Sequence, residues 1–315
     1  MIAALLRSDV GKATVGFVLL ALLFWLLESL WPEDRAQRKL RKGTLTDTLY
    51  FFFLIPATKL ISTVVLAIGI FFTLRLIPIH SVPLVAAQPG WAQGLEILLL
   101  GDLIGYWTHR AFHTWSVIWP IHAVHHSSEQ LDWLSSVRVH PLDTILSRFF
   151  QVMPLFLLGF SAKTLAPYAL FLAIYPILLH ANLSWTYGPF KYVIASPAYH
   201  RWHHAAEQNA LFRNYSGLFP FVDMIFGTAY FPTRKPVAYG LYQDHLSNNI
   251  FTQLLYPFRR KMKAPVAPQG ATPALPAIQP HAPPSAAYPP AYPPMASPYA
   301  TSPQWPQPVV PSPDL

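Results

Sequence analysis

The sequence predicts an all-α integral membrane protein of about four transmembrane helices, with a histidine-rich dimetal site on the cytoplasmic side and a disordered, proline-rich C-terminal tail. Three observations carry this. Of 315 residues, 53% are hydrophobic and only 11% are charged, where a soluble domain carries roughly 25% charged residues. The apolar residues gather in runs flanked by basic loops. The 13 histidines nearly match the 14 acidic residues in number, and most of them fall in three phased clusters.

The first apolar run, Val15–Leu30, is broken only by Glu28 and follows Arg7 and Lys12. It ends in Glu-Ser-Leu-Trp without a small-residue cleavage site, which predicts an uncleaved span rather than a signal peptide. A basic loop follows, with Arg35, Arg38, Lys39, Arg41 and Lys42. The net charge of +8 therefore reads as membrane topology rather than a nucleic-acid-binding face. A second run covers Leu49–Phe72, with Lys59 inside it and Pro56 as a kink point; a third covers Trp91–Trp107. Ile145–Phe160 and Leu165–Leu183, interrupted by Pro154, Pro167 and Pro176, are each near the short limit for a span and predict a helical hairpin. The positive-inside rule places the Arg35–Lys42 loop in the cytoplasm, and span parity then brings every histidine cluster to that same face. The membrane is the bacterial inner membrane or, in a eukaryote, the endoplasmic reticulum. Trp107, Trp115, Trp119, Trp133 and Trp185 are aromatic-belt candidates.

From Ala264 to Leu315 the composition changes: seventeen of the 33 prolines lie there, with Tyr-Pro-Pro repeated at 288–290 and 292–294. Such a segment cannot bury a core and is expected to be extended, as a solvated tail or as an arm for a proline-binding partner. The organisation is thus N-terminal spans and basic loop over 1–90, a histidine-box domain over 91–263 and the tail over 264–315.

With no cysteine, thiolate metal sites, iron–sulfur clusters and disulfides are excluded. The clusters are His109-Arg-Ala-Phe-His113, His122-Ala-Val-His125-His126 and His200-Arg-Trp-His203-His204. In each, residues three or four apart share a helix face, and the adjacent histidine points about a third of a turn away, toward a second metal or another helix. Pro120 restarts the chain as a first-turn residue before the second cluster. Eight neutral imidazoles exceed what one catalytic ion takes, and four ligands each makes two metals. Imidazole suits zinc, copper, iron and nickel alike. A metal pair beside a membrane suits chemistry on apolar substrates, and iron with open positions activates dioxygen. The alternative is a non-redox, zinc-dependent membrane protein, a hydrolase or a metal transporter. No HExxH motif supplies the base of that hydrolase class, and a transporter is expected to hold its ionisable ligands deep within its spans.

The pattern HxxxH, HxxHH, HxxHH after membrane spans resembles the fatty acid hydroxylase superfamily, which includes sterol desaturases and sterol methyl oxidases. The likeness covers roughly residues 90 to 235 and extends to Asp102-Leu-Ile-Gly-Tyr106-Trp-Thr-His109, Arg138-Val-His140-Pro-Leu-Asp143 and His180-Ala-Asn182. The resemblance implies a four-helix membrane bundle with a cytoplasmic helical cap holding two iron ions. It also implies hydroxylation or desaturation of a sterol, fatty acyl or related lipid, with O2 as co-substrate. His109, His113, His122, His125, His126, His200, His203 and His204 fall on the family's ligand motifs. Some members carry a further histidine four residues after the counterpart of His180, where this chain has Ser184. No haem or cytochrome b5-like motif accompanies the pattern, so the electrons are expected from a separate reductase or redox protein.

Several flanking residues complete the expected site. Asp102, Tyr106, His109 and His113 fall at i, i+4, i+7 and i+11, one helical stripe, and a carboxylate there is expected to fix the tautomer of a ligand imidazole. His180, closing an apolar run, is expected to be a ligand or a partner of one, and His140 is a weaker candidate for the same role. Arg110 and Arg201, each following a ligand, are expected to pair with an acidic residue of the cap or with a lipid headgroup. His80, His245 and His281 lack sequence partners and are not expected to bind metal.

Overall fold

A computed structural model describes residues 8–76, 85 and 87–259. The expected tail over 264–315, His80 and His281 lie outside the described residues. Among the described residues the regular structure is helical, with two isolated extended pairings, Pro32 with Leu183 and Ala205 with Tyr239.

Helix α1 spans Asp9–Leu30 and is opened by Ser8, whose hydroxyl accepts from Gly11 N. Helix α2 runs over Thr44–Leu76 and contains one π turn, Tyr50–Leu54. The cause lies just beyond, at Pro56, which has no N–H for the Phe52 carbonyl and whose ring crowds it; the wider turn relieves both. Helix α3 is Gly90–Thr114 and α4 is Trp119–His126, with Pro120 in its first turn as expected. The predicted hairpin forms as α5, Pro141–Leu157, and α6, Ala162–His180. Three short α-helices follow among the described residues: α7 (Pro197–His203), α8 (Pro220–Ile225) and α9 (Ile250–Leu255).

Three of the described helices, α1, α2 and α6, are long and apolar enough to cross a membrane, with mean hydropathies of 2.1, 2.1 and 1.5. Their exposed faces are apolar: Leu19, Leu22 and Leu26 on α1, and Leu60, Val64, Ile68 and Phe71 on α2. Water would not tolerate stripes of that length and lipid does. The expected span over Trp91–Trp107 is helical within α3, but Gln93, Glu96 and Asp102 lower its hydropathy, and α5, with 17 residues, is short for a span.

Polar residues in the apolar runs turn out to be anchors. Glu28, 5% exposed, accepts from Trp133 N at 3.1 Å and Asn182 N at 3.0 Å, tying α1 to the two segments that flank the histidine clusters. Phe24, one turn earlier, stacks on Trp133 with ring centroids 5.9 Å apart. Trp133 is therefore a core residue, and Trp119, 7% exposed, is another; neither belongs to an aromatic belt, whereas Trp107 and Trp115 are exposed. In the basic loop, Arg35, Arg38, Lys39 and Lys42 are exposed, but Arg41 is buried. It bridges Asp47 (2.5 Å) and Asp132 (2.7 Å), and Arg138 reaches the other Asp47 oxygen at 2.6 Å. A buried ionic set of this kind fixes register more than it adds stability, because desolvation offsets most of the attraction.

Candidate metal centre

The histidine clusters meet at one end of the helix bundle and sort into two adjoining groups. His109, His113, His122, His126 and His203 form the first; His125, His180, His200 and His204 form the second. Within each group the ligand nitrogens all lie within 4.8 Å of one another. The groups touch, with the His126 and His204 rings stacked at 4.3 Å.

Helical phasing explains the sorting. His109 and His113 are one turn apart at the end of α3. On α4, His122 and His126 share a face, and His125 points aside into the second group. On α7 the pattern is reversed: His200 and His204 face the second group, and His203 crosses to the first. The expected division of eight ligands as four and four gives way to nine, five in one group and four in the other. The ninth is His180, at the end of α6.

The protonation pattern shows what the groups fit. The Nδ1–H of His109 donates to Tyr215 O at 2.7 Å, that of His122 to Asp143 Oδ2 at 2.6 Å, and that of His203 to Arg213 O at 2.9 Å. In the second group, His125 donates to Arg138 O at 3.1 Å and His180 to Pro176 O at 2.7 Å. A neutral imidazole has one proton, so Nε2 of each of these five is a bare lone pair. Yet Nε2 of His109 lies 3.0 Å from that of His122, and Nε2 of His125 lies 3.2 Å from that of His180. The Nε2 atoms of His113 and His203 are buried with no partner at all. Converging, unprotonated imidazole nitrogens repel one another unless a cation lies among them, and the donor set fits borderline metals such as iron or zinc.

Proton loading cannot satisfy the groups instead. Burial holds His125 down to about 3, with His122 adding to the effect. Burial also keeps His126, His200, His203 and His204 far below the ordinary imidazole value, each helped by a neighbouring ring. These five are neutral at physiological pH, the form in which an imidazole can bind a metal.

Two expected site residues lie elsewhere. Asp102 touches no imidazole. Its Oδ1 accepts from Gly217 N (3.0 Å) and Leu218 N (2.9 Å), and its Oδ2 from Phe219 N (2.9 Å) and the Ser216 hydroxyl (2.5 Å). It thus folds the loop whose first residue, Tyr215, offers its carbonyl to His109. His140 belongs to neither group. Its Nδ1 caps α5 by accepting from Leu142 N, and its Nε2 donates to Leu254 O at 3.1 Å. Arg201 is buried and donates to the Leu131 and Ala181 carbonyls and to Asn182, not to a carboxylate; Arg110 donates to the Tyr106 hydroxyl and lies over Trp107. His245 pairs at the surface with Glu129, away from the metal groups.

Sequence reasoning quoted Asp143 in a motif without giving it the role its geometry shows, and it missed Asp223. The latter, fully buried, accepts from Tyr215 N, Ser216 N, the Thr228 hydroxyl and the hydroxyl of Tyr199, the residue before His200. Asn214 adopts a left-handed φ of 58° and fixes the turn by bonding Tyr199 O and both backbone groups of Tyr230. A carboxylate between apolar neighbours was the available signal for Asp223; the backbone carbonyls that orient four of the clustered histidines leave none.

A narrow cavity of about 30 Å³ reaches the first group and is lined by His113, Trp119, His126, His203, Leu211, Phe212, Leu241 and Tyr242 among others. It has room for a water-sized molecule. Its outer wall is apolar, and the bulky Phe212 is held there at a φ of 60°, a strained conformation typical of sites where geometry matters more than stability.

The sequence model of the fatty acid hydroxylase family matches residues 94–228. The chain is 28% identical over 280 residues to ornithine lipid hydroxylase of Rhizobium tropici, covering 81% of this chain and 78% of that one. It is 26% identical over 235 residues to alkylglycerol monooxygenase of Xenopus tropicalis, covering 74% and 50%. It is 28% identical over 146 residues to a very-long-chain aldehyde decarbonylase of Oryza sativa subsp. japonica, covering 44% and 54%. The chain thus spans only about half the length of the last two. No solved structure matches it. The stretch that matches the fatty acid hydroxylase model contains eight of the nine clustered histidines in the three boxes and His180 between them.

Proposed function

We propose that the chain is a membrane-bound, non-haem di-iron oxygenase that hydroxylates a lipid, using O2 and electrons from a separate redox protein. The observation that carries this is the pair of imidazole groups whose Nε2 lone pairs face one another with no proton between them. His109, His113, His122, His126 and His203 would hold one ion, and His125, His180, His200 and His204 the other. Two iron ions with open positions supply activation of dioxygen for attack on an unactivated C–H bond. The chain's own residues do the rest. Asp143 and four backbone carbonyls hold the imidazoles in the ligating tautomer. Trp119, Phe212 and Leu241 restrict the approach to the first group and limit bulk water.

Hydroxylation is preferred to desaturation because the relatives aligned over most of this chain are named a hydroxylase and a monooxygenase. One name specifies an ornithine lipid and the other an alkylglycerol, and a lipid substrate suits a centre at the end of lipid-facing helices. The exposed Arg35, Arg38, Lys39 and Lys42 support placing the centre on the cytoplasmic side. Lipid mass spectrometry of membranes expressing the wild type or His203→Ala, with iron analysis of the same proteins, tests the proposal. A lipid gaining one oxygen only with the wild type is the expected result; identical lipid profiles from an iron-loaded wild type and the variant would overturn it.

A further inference from the structure

Below the metal centre, α5 packs between α2 and α3 and carries an arginine that neither the ligands nor the cap uses. Arg148 has no hydrogen bond or ion pair among the described residues, and no carboxylate acts on it; the Tyr168 phenol of α6 is its one electrostatic neighbour. Tyr168 is itself 5% exposed, and its hydroxyl has no hydrogen-bond partner. A third polar group joins them. Gln151 follows Arg148 by three residues on the same face of α5.

Two glycines of α3 locate the phenol and the amide. A Cβ on Gly101 would collide with the Tyr168 hydroxyl, and one on Gly105 would lie 2.7 Å from Gln151 Nε2. These glycines are one turn apart, so the phenol and the amide face successive turns of one α3 stripe, separated by about 6 Å along its axis. The absence of side chains on α3 lets the phenol and the amide lie against its bare backbone, so that a polar seam runs between α3, α5 and α6. It lies about 8 Å along α5 from Asp143, the partner of His122. Arg148 is partly buried, an unpaired guanidinium among apolar helices is costly unless something neutralises it, and an ionisable group in such a place marks a binding or transport function.

We propose that Arg148, Gln151 and Tyr168 form a binding site for an oxyanion carried by a lipid, a carboxylate or a phosphate. The guanidinium offers a planar fork of donors for either group, and the amide and phenol offer one further donor each. The hydrocarbon of the same lipid then lies between the helices rather than in water. The site is independent of the proposed oxygenase chemistry, because nothing in it touches a metal ligand.

The experiment uses the full-length protein in phosphatidylcholine nanodiscs. Thermal unfolding is followed while oleate, phosphatidic acid or inorganic phosphate is added, and native mass spectrometry records the lipid retained on purification. Oleate or phosphatidic acid should raise the melting temperature of the wild type, and inorganic phosphate should not. Arg148→Met should weaken that binding about tenfold, the loss expected for a charge-assisted hydrogen bond. Arg148→Lys should keep most of it and Tyr168→Phe should lose part, all with unchanged metal content. A retained lipid that the wild type also oxidises identifies the site as the substrate's; one that it does not oxidise identifies a resident lipid. Equal responses from the wild type and Arg148→Met, or a response to inorganic phosphate alone, would overturn the proposal. If Arg148→Met does not fold, Tyr168→Phe and the retained lipid of the wild type decide it. Loss of turnover with lipid binding intact would count against the oxygenase reading and leave this site standing.

Discussion

Nε2 of His109 and Nε2 of His122 lie 3.0 Å apart, and each ring has already given its proton to an acceptor on the far side, Tyr215 O and Asp143. That arrangement is a cost in the metal-free protein and an asset once a cation binds. Removing metal with a chelator should therefore lower the melting temperature of the purified protein, and restoring ferrous or zinc ion should raise it again, since a ligand that binds only the folded state stabilises it. Differential scanning fluorimetry with and without chelator measures this. An unchanged melting temperature would mean that the imidazoles do not converge on a metal.

Asp143→Asn should keep the fold but weaken metal retention, because an amide accepts less strongly from His122 Nδ1 and lowers the basicity of Nε2. Loss of such an outer partner typically costs about 10- to 100-fold in affinity. Metal content against a graded chelator separates the variant from the wild type, and identical curves would show that Asp143 does not tune the site.

His140 and His180 should behave differently despite similar standing in the sequence. His140→Asn keeps a capping side chain at the start of α5 and should leave two metal ions per chain. His180→Asn removes a member of the second group and should reduce the count toward one. Elemental analysis of both variants decides; loss of metal from the His140 variant would return that residue to the ligand set.

Asp102→Ala should destabilise the protein by at least about 3 kcal/mol, because three backbone N–H groups and the Ser216 hydroxyl lose a buried acceptor. It should also lower turnover by freeing the Tyr215 carbonyl from its place against His109. Denaturant unfolding and turnover, measured together, test this. A variant as stable as the wild type would show that the 216–219 loop folds without the carboxylate.

Topology is open to direct labelling because the native chain has no cysteine. Cysteines introduced at Lys39 and Asn209 should label from one side of the membrane, and one at Arg75, at the far end of α2, from the other. Lys39 and Asn209 labelling from opposite sides would break the scheme.

Much of this architecture could be read from the residues. The apolar runs gave helices α1, α2, α3, α5 and α6 because burial and lipid contact follow periodicity and length. The three boxes contain eight of the nine histidines that the structure clusters, because helix phasing is local. What could not be read was non-local. Asp102 was expected to serve an imidazole, since the sequence shows its helical stripe but not the 216–219 loop that folds over it. Trp133 was expected at an interface and is instead stacked on Phe24, a contact between residues more than a hundred positions apart. The assignment of His125 and His203 to the group opposite their neighbours depended on how α4 and α7 face one another, which no local pattern encodes.

That crossing has a mechanical consequence. His125 and His126 are consecutive residues of one helix and belong to different groups; His203, the last residue of α7, and His204, its C-cap, are divided in the same way. The spacing between the two groups, and so between any ions they hold, is therefore set by the width of two helix backbones, the stiffest ruler the chain possesses, and not by any loop. Lengthening or redesigning the connections around the centre should leave the intermetal distance untouched. A single added residue within α4 or α7 should instead disturb both groups at once, because each of these segments contributes histidines to both.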